Sequence, residues 1–192
     1  LFSHDSELAD AVREQFHFLE PHLRASVGKV MASLHEVYAA EKDFHVSFFN
    51  LPHLCAIREL RTDKIATLAA FTGTVTRTTD VRPELLHGVF QCELCQAISD
   101  PVVQQFKYTQ PTKCKNPTCP NRMEWSLRHD HSKFIDWQRV RVQENASEMP
   151  PGCMPRTLDV ILRGEMVERA KAGDKAVFTG SLVAVPDVAQ MA

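Results

Sequence analysis

The chain has 192 residues, of which 44% are apolar, and a formal net charge of −2. This length fits one domain of moderate size or two small ones, and no apolar run is long enough to cross a bilayer, so no membrane contact is expected. The charge excludes a generally basic nucleic-acid-binding protein, so a nucleic-acid surface must be local. Residues 1–50 carry four Lys/Arg against eight Asp/Glu, whereas residues 101–141 carry eight against three.

Helical periodicity characterises the start of the chain, from Ser6 to about Ala40. We expect Asp5 or Ser6 to cap a first helix, and Pro21 to interrupt the run before a second helix follows. These helices predict a small bundle over residues 1–50, acidic on its outside. The apolar positions are Leu8, Val12, Phe16 and Leu19 in the first helix, and Leu23, Val27, Val30, Met31, Leu34, Val37 and Tyr38 in the second.

After Asp43 the sequence pattern changes from helical to β-strand periodicity. Residues 44–49 alternate like a strand, and Asn50 and Pro52 break the alternation. Gly73 stands inside an unusually long apolar segment, which suggests a bend or bulge of the kind found at barrel corners. The further predicted strand segments are residues 64–77, 88–92, 101–108, 124–129, 134–144, 157–163 and 175–185.

Four cysteines form two close pairs, Cys92 with Cys95 and Cys114 with Cys119. Two tight turns that point two thiolates each at one centre suit tetrahedral Zn²⁺, and four thiolates leave no open position, so the site reads as structural. An Fe–S cluster or disulfides are the alternatives. Disulfides need an oxidising compartment, yet no signal peptide is visible, and Leu1 as first residue suggests an excised segment.

The residues around the cysteines, roughly 89–132, sit between two strands of barrel type and are too few for a hydrophobic core of their own. A metal is therefore expected to hold this insertion together. The spacing disfavours the nearby histidines as replacement ligands; these are His87, His129 and His131. The two remaining cysteines, Cys55 and Cys153, are expected to be buried thiols.

Arginines recur on the predicted strands. Arg139 and Arg141 are two residues apart, so an extended strand places both on one face, where guanidinium groups can bind phosphates. Phe134 and Trp137 could stack bases nearby, as in single-strand-binding barrels. The alternative is that the arginines are ordinary surface charges and the aromatic residues belong to the core. Further arginines in similar settings are Arg77, Arg82 and Arg156.

Enzyme signatures are absent from the 192 residues. The sequence contains no phosphate-binding Gly-x-x-x-x-Gly-Lys-Ser/Thr loop, no Gly-x-Ser-x-Gly elbow and no His-Glu-x-x-His motif. A zinc deaminase would need His-x-Glu ahead of Pro-Cys-x-x-Cys, whereas Gln91 precedes Cys92. We therefore expect no catalysis from this stretch of chain.

Several of these motifs, in this order, resemble the amino-terminal domain of the minichromosome maintenance proteins, the subunits of the hexameric replicative helicase. The resemblance covers about residues 44–188, and QQFKYTQPT at 104–112 with VPDV at 185–188 looks most like the eukaryotic subunit six. The other motifs are IREL at 57–60, GTVTRT at 73–78, VRPEL at 81–85, DWQRVRVQE at 136–144, PRTLDVIL at 155–162, AGDKAVFTG at 172–180, and the four cysteines.

The resemblance implies an α+β fold of three parts. A helical bundle (residues 1–50) precedes an oligonucleotide/oligosaccharide-binding (OB) β-barrel (51–88 and 133–192), into which a zinc ribbon (89–132) is inserted. The family's channel hairpin and the closing strand of the barrel are expected beyond residue 192. The ATP- and Mg²⁺-dependent helicase module is likewise expected outside this stretch.

Function follows from the same resemblance. The barrels of the family form a collar that binds single-stranded DNA, with double-stranded DNA as a further candidate, and that joins subunits in a hetero-hexamer. The ribbons of two hexamers meet, and the location is the nucleus. The DNA-contacting positions fall on Arg77, Arg82, Arg141 and Arg156, to which strand alternation adds Arg139.

Two rival functions remain open. A general single-strand-binding protein with an OB fold and a zinc ribbon would share the cysteine pairs and basic strands, but not PRTLDVIL at 155–162 or the acidic helical start. A purely structural oligomerisation module would touch no DNA. Salt-dependent binding of labelled single strands separates these possibilities.

Overall fold

The computed structural model describes residues 4–35, 37, 43–104 and 107–185. This part of the chain contains two α-helices, α1 (Ser6–Glu14) and α2 (Phe16–Leu34), and a larger number of strands, which confirms the predicted α+β content. None of the described helices is both long and apolar enough to span a membrane. The strands are β1 (Leu54–Cys55), β2 (Leu68–Thr78), β3 (Arg82–Gly88), β4 (Phe90–Cys92), β5 (Val102–Val103), β6 (Trp125–Leu127), β7 (Lys133–Gln143), β8 (Thr157–Arg163) and β9 (Lys175–Ser181).

Helix α1 begins where the sequence predicts. The Asp5 carboxylate accepts the backbone N–H of Leu8 at 3.0 Å, which satisfies one of the orphan donors of the first turn. Glu7 in the first turn and Arg13 in the last complement the helix dipole. Ala9 and Val12 are the buried residues of this helix.

The predicted helix break at Pro21 is wrong, because Pro21 lies inside α2 and the chain bends at Gln15. The backbone N–H of His17 donates to the Ala66 carbonyl at 3.2 Å, a tertiary bond that the local pattern cannot reveal. Pro21 is the sixth residue of α2, past its first turn, so it removes the bond that its own N–H would make to the His17 carbonyl, and its ring crowds that carbonyl. The expected end of this helix near Ala40 and its apolar position Tyr38 lie outside the described residues.

Three strand predictions also need correction. Residues 44–49 form no strand, although their side chains alternate. Conversely, β3 is absent from the predicted segments, since Pro83 lacks the donor that a strand normally uses and masked the pattern. The segment predicted at 64–77 begins later, because Thr62–Lys64 forms a 3₁₀ turn.

The described residues fall into two compact units. Unit 1 comprises those within 1–76, 142–158 and 173–192, and unit 2 those within 77–141 and 159–172. The chain passes from one unit to the other four times: within β2, near the end of β7, near the start of β8, and between residues 172 and 173. The division into three parts that the sequence predicts stays a prediction; its bounds are 1–50, 51–88 with 133–192, and 89–132.

Strand β2 is the centre of unit 1. It pairs in parallel with β1, Leu54 lying opposite Ala70, and antiparallel with β9 from Leu68 opposite Ser181 to Thr74 opposite Lys175. Phe71 stacks on Phe178 across this pair, with ring centroids 5.5 Å apart. The buried apolar residues of β2 are Leu68, Ala69, Ala70, Phe71 and Val75.

At Gly73 two segments of unit 1 approach each other closely, and of the predicted bend or bulge, the bulge is absent from the pairing with β9. The register between β2 and β9 runs through Gly73 without a shift. A methyl group at this position would overlap the Val142 side chain and would lie 3.0 Å from the Gln143 carbonyl oxygen. Only glycine therefore lets β2 and the end of β7 pack at this distance.

Unit 2 contains a sheet and a smaller segment within residues 89–132 that carries the four clustered cysteines; we call it the metal-ribbon segment. Strand β3 pairs antiparallel with β7, Arg82 lying opposite Trp137, and with β5; a register shift occurs between Leu85 and His87. Strand β8 pairs with the other edge of β7. Strands β4 and β6 form a separate two-stranded sheet that presents Cys92 at its end.

Candidate metal centre and basic strand face

The first cysteine pair lies on a turn that follows β4. The backbone N–H of Gln96 donates to the Cys92 carbonyl, and that of Cys92 to the Ala97 carbonyl, both at 2.9 Å. Gln96 has a φ of 61°, and this left-handed conformation lets the chain reverse immediately after Cys95. The turn therefore directs both thiols of the pair to the same side.

The second cysteine pair lies on a longer turn organised by Asn116. Its carbonyl accepts the N–H of Cys119 at 3.1 Å, and its side-chain oxygen accepts both the N–H (3.2 Å) and the hydroxyl (2.8 Å) of Thr118. Pro117 fits between them, as the sequence predicts for this four-residue spacing. The turn brings Cys114 and Cys119 to face the first pair.

The four sulfur atoms form one cluster. They all lie within 4.8 Å of one another, with 3.7 Å between Cys92 and Cys119 and 3.4 Å between Cys95 and Cys114. A tetrahedron of thiolates at the usual Zn–S distance has edges of about 3.8 Å, so the cluster fits such an ion. No histidine joins this group among the described residues. These four residues could hold a metal ion.

The electrostatics of the cluster favour a bound cation. Burial raises the pKa of the Cys92 thiol, but hydrogen bonds from the backbone N–H groups of Cys95 and Leu94 and from the Asn121 amide outweigh it and lower the pKa to about 6. The backbone N–H of Asn121 lowers the pKa of Cys119, yet burial and the neighbouring thiols raise it to about 12. Four thiolates can coexist here only when a cation neutralises their repulsion.

The metal-ribbon segment has a very small core, as its length predicts. Phe90 and Cys92 are fully buried and pack with Trp125, and the other three cysteines border this cluster. The ring of Tyr108 meets Phe90 edge to face at 5.8 Å. With so few buried side chains, the segment has little apolar packing of its own.

Strand β7 carries the basic face that the sequence anticipates. Gln138, Val140 and Val142 are buried, whereas Arg139 and Arg141 are exposed. The alternation places both guanidinium groups on one side of the strand.

Arg82 and Trp137 extend this face within unit 2. They are directly opposite on β3 and β7, and Trp137 shares the face of Arg139 because the two are two residues apart. Arg77 is exposed at the end of β2. We name the set Arg77, Arg82, Trp137, Arg139 and Arg141 the basic strand face.

Phe134 does not belong to the basic strand face. It is three residues from Trp137 on the same strand, which puts it on the opposite side, and it stacks on His129 with ring centroids 6.1 Å apart. Phe134 and Trp137 therefore lie on opposite sides of β7, and base stacking by either ring stays a prediction. Arg156 is exposed too, but it lies in unit 1.

Arg141 forms a bidentate ion pair with Asp159, which sequence analysis missed. Its Nε and Nη2 donate to the two carboxylate oxygens at 2.7 and 3.0 Å. The hydrogen bond from Arg141 lowers the pKa of Asp159, and the positive charges of Arg141 and Arg139 lower it further. The two residues are 18 positions apart on different strands, so only the β7–β8 pairing could have signalled the contact.

A second carboxylate, Glu144, is buried in unit 1 and organises the segment that contains Arg156. Arg58 Nε donates to both Glu144 oxygens at 2.8 and 2.9 Å, and the backbone N–H of Arg156 donates to Oε2 at 3.2 Å. Burial raises the pKa of Glu144, but these donors and the charges of both arginines lower it overall.

The prediction of a buried Cys153 is wrong, since this residue is exposed beside the same segment, and Cys55 is half-buried.

The comparisons with known proteins decide the family. The family model of the MCM OB domain matches residues 56–186, which is well over half of the chain and includes the four clustered cysteines and the basic strand face. The chain belongs to the minichromosome maintenance (MCM) family. The OB-domain part of the predicted fold is thereby confirmed.

The MCM relatives agree with the resemblance to subunit six. The chain is 49% identical over 208 residues to the DNA replication licensing factor mcm6 of Schizosaccharomyces pombe, and 47% identical over 199 residues to MCM6 of Arabidopsis thaliana; both alignments cover 100% of the chain. It is 43% identical to the maternal mcm6 of Xenopus tropicalis over 98% of the chain. The chain spans only 23–24% of the length of these relatives.

Proposed function

We propose that the chain is a collar domain of a hexameric replicative helicase subunit that binds DNA through the basic strand face and Arg156. In this proposal α1 and α2 belong to a helical bundle, the strands outside the metal-ribbon segment form an OB barrel, and the location is the nucleus. ATP hydrolysis with Mg²⁺ belongs to a module of the full-length protein, because residues 1–192 contain no phosphate-binding loop.

The observation that carries the DNA-binding proposal is the row of exposed arginines on adjacent strands of an MCM OB domain. Arg139 and Arg141 project from the same side of β7, and Arg82 lies beside them on β3. Guanidinium groups spaced along a strand can follow a sugar-phosphate backbone, and Trp137 offers a ring on which a base can stack. A single strand is the favoured partner, since its bases are free to stack.

Zinc is the metal proposed for the four cysteines. Four thiolate ligands select a soft or borderline ion and complete its coordination, so Zn²⁺ would act as a structural cross-link and supply no Lewis-acid chemistry. Its role would be to hold the two cysteine turns together in a segment whose core is too small to do so. The residues that would bind it are Cys92, Cys95, Cys114 and Cys119.

Protein partners complete the proposal. Other MCM subunits would flank the domain in a hetero-hexamer, and the metal-ribbon segment would meet a second hexamer. Two large apolar side chains of this segment support a protein contact: Leu94 is 57% exposed and Met123 is 85% exposed. Such side chains beside a metal site gain stability when a partner covers them.

The test of DNA binding is fluorescence anisotropy with a labelled single strand, measured at several salt concentrations. The double variant Arg77→Ala/Arg141→Ala should bind more weakly, and its salt dependence should flatten by about 0.7 per lost phosphate contact. The control, Lys113→Ala/Arg122→Ala, removes the same charge from the metal-ribbon segment and should change both quantities less.

Two outcomes would contradict the proposal. Equal affinity of the wild type and the double variant would show that the basic strand face does not bind DNA. Absence of salt-dependent binding in the wild type would leave the structural oligomerisation module, a function that the engagement of Arg141 by Asp159 favours. Sedimentation of the chain with and without other MCM subunits would then test that role directly.

A further inference from the structure

Asn121 is a buried polar residue of the metal-ribbon segment, with only 5% of its surface exposed. Its side-chain amide nitrogen donates to the Cys92 sulfur at 3.0 Å and to the Glu124 carbonyl at 2.6 Å. Its side-chain oxygen accepts the N–H groups of Met123 (3.1 Å) and Glu124 (3.0 Å). One side chain therefore uses its full set of strong donors and acceptors.

Asn121 also reaches the other cysteine pair. Its backbone N–H is hydrogen-bonded to the Cys119 thiol. Cys92 belongs to the first turn and Cys119 to the second, and their sulfurs are 3.7 Å apart. A single residue that is no ligand thus donates hydrogen bonds to one sulfur of each pair.

From this geometry we propose that Asn121 is a positioning residue of the metal centre, which orients the Cys92 thiolate and tunes its charge, and thereby sets the affinity of the site for its metal. The inference rests on the proposed zinc site. It adds a residue that the cysteine spacing does not reveal, and it distinguishes the Cys92 thiolate from the other three.

The physical basis is the distribution of negative charge. A divalent ion with four thiolates has a net charge of −2, and an N–H donor pointed at a sulfur disperses part of that charge. Phe90 and Trp125 exclude water from the Cys92 side of the cluster, so no solvent donor can replace the Asn121 amide there. Loss of such a supporting residue typically weakens metal binding about 10–100-fold.

The choice of substitution separates the donor from the size of the side chain. Asn121→Asp keeps the shape, but it replaces the donating nitrogen with an oxygen that repels both the Cys92 sulfur and the Glu124 carbonyl. Asn121→Gln keeps the amide on a stem that is longer by one methylene. If the donor matters, the Gln variant binds metal more tightly than the Asp variant; if size alone matters, the order is reversed.

The experiment uses the full chain loaded with Zn²⁺ or Co²⁺. Zinc affinity is measured by competition with a chromophoric chelator, and the sulfur-to-Co²⁺ charge-transfer absorption reports the charge on the thiolates. We expect Asn121→Asp to weaken zinc binding about 10–100-fold and to shift the charge-transfer band, and Asn121→Gln to fall between it and the wild type. Circular dichroism of the metal-loaded chains establishes that each variant is folded.

The matched control is Asn116→Ala, which removes two hydrogen bonds from the second cysteine turn although that side chain touches no sulfur. It should leave the charge-transfer band in place. Equal affinity and an unshifted band in Asn121→Asp would overturn the inference, as would an Asn116→Ala variant with the same band shift and affinity loss. A wild-type chain that binds no metal would instead overturn the zinc proposal, and this inference with it.

Discussion

Arg141 and Asp159 form a two-pronged ion pair between β7 and β8, with N–O distances of 2.7 and 3.0 Å. Both side chains are partly exposed, at 50% and 37%. The guanidinium group proposed to meet a phosphate is therefore already held by a carboxylate of the same unit. DNA binding at this position would be an exchange of one anion for another.

The first prediction concerns this exchange. Asp159→Asn removes the competing carboxylate and one negative charge next to Arg139 and Arg141, so single-strand affinity should rise severalfold. If Arg141 then contacts a phosphate more completely, the salt dependence should steepen by up to about 0.7. Anisotropy titrations of wild type and variant over a range of salt concentrations measure both quantities.

Asp130→Asn is the matched control for Asp159→Asn. Asp130 also holds an arginine in a two-pronged pair, with Arg128 at 3.1 and 2.8 Å, but it lies in a turn before β7 and away from the strand positions of the basic face. Asp130→Asn changes the net charge by the same amount as Asp159→Asn, but it should alter the affinity for single-stranded DNA less. An equal gain in both variants would show that only net charge matters, and no gain in Asp159→Asn would argue against Arg141 as a DNA contact.

The second prediction concerns the buried Glu144. Its pKa lies below the ordinary value of 4.5, so the carboxylate is more strongly favoured in the folded chain than in the unfolded chain. Its contribution is complete above pH 4.5 and is lost as the pH falls through the folded-state pKa. Glu144→Gln should therefore lower Tm by several degrees at pH 7, and the difference from the wild type should shrink toward pH 3.

Thermal unfolding followed by circular dichroism at several pH values tests this prediction. Asp63→Asn, an exposed carboxylate of the same unit, is the control and should change Tm little at any pH. The wild type and both variants share the metal site. Any loss of stability caused by release of the metal in acid is therefore the same in all three and cancels from the Tm differences. A Tm difference between wild type and Glu144→Gln that stays constant from pH 7 to pH 3 would contradict the assigned role of the charge.

Features set by neighbouring residues could be predicted from the sequence. The Asp5 cap depends on a bond to Leu8, three positions away, and the exposure of Arg139 and Arg141 follows from the period of a strand. The cysteine spacing likewise predicts a cluster, because each pair is confined to one turn. In these cases the contacts that determine the structure join residues close together in the sequence, so the local sequence pattern reveals them.

The sequence-based predictions fail where a contact with a distant segment determines the local structure. The backbone N–H of His17, in the first turn of α2, bonds to Ala66, and Gly73 lies against the end of β7. The partners of Arg141 and Arg58, Asp159 and Glu144, stand 18 and 86 positions away. No local periodicity encodes such pairs, so their discovery required the strand pairing.

The third prediction tests the structural role of the metal. Cys119→Ser should abolish stoichiometric zinc binding, which the wild type should show as one zinc per chain by elemental analysis. Trp125 packs against the cysteine cluster, so its fluorescence should shift toward that of an exposed indole. Cys153→Ser, at an exposed thiol outside the cluster, should change neither reading. A fully folded metal-free wild type would rule out this role.

The fourth prediction concerns the packing of β2 against the end of β7. Gly73→Ala places a methyl group where the Val142 side chain lies and 3.0 Å from the Gln143 carbonyl, so backbone must move as well as side chain. Overpacking of this kind costs about 1–3 kcal/mol, and each kcal/mol lowers Tm by about 2–4 °C in a chain of this size. Urea and thermal unfolding measure the loss.

Gly180→Ala gives this prediction its control. Gly180 lies in β9, opposite Ala69 of the same β2, and an added methyl group there meets no atom within 4 Å. The two substitutions change the unfolded chain in the same way, so the difference between them isolates the contact with Val142. Gly180→Ala should be neutral or slightly stabilising, since alanine is less costly to order than glycine in a strand. Equal stability of the two variants would mean that β2 and β7 can separate without loss, and the glycine would then need another explanation.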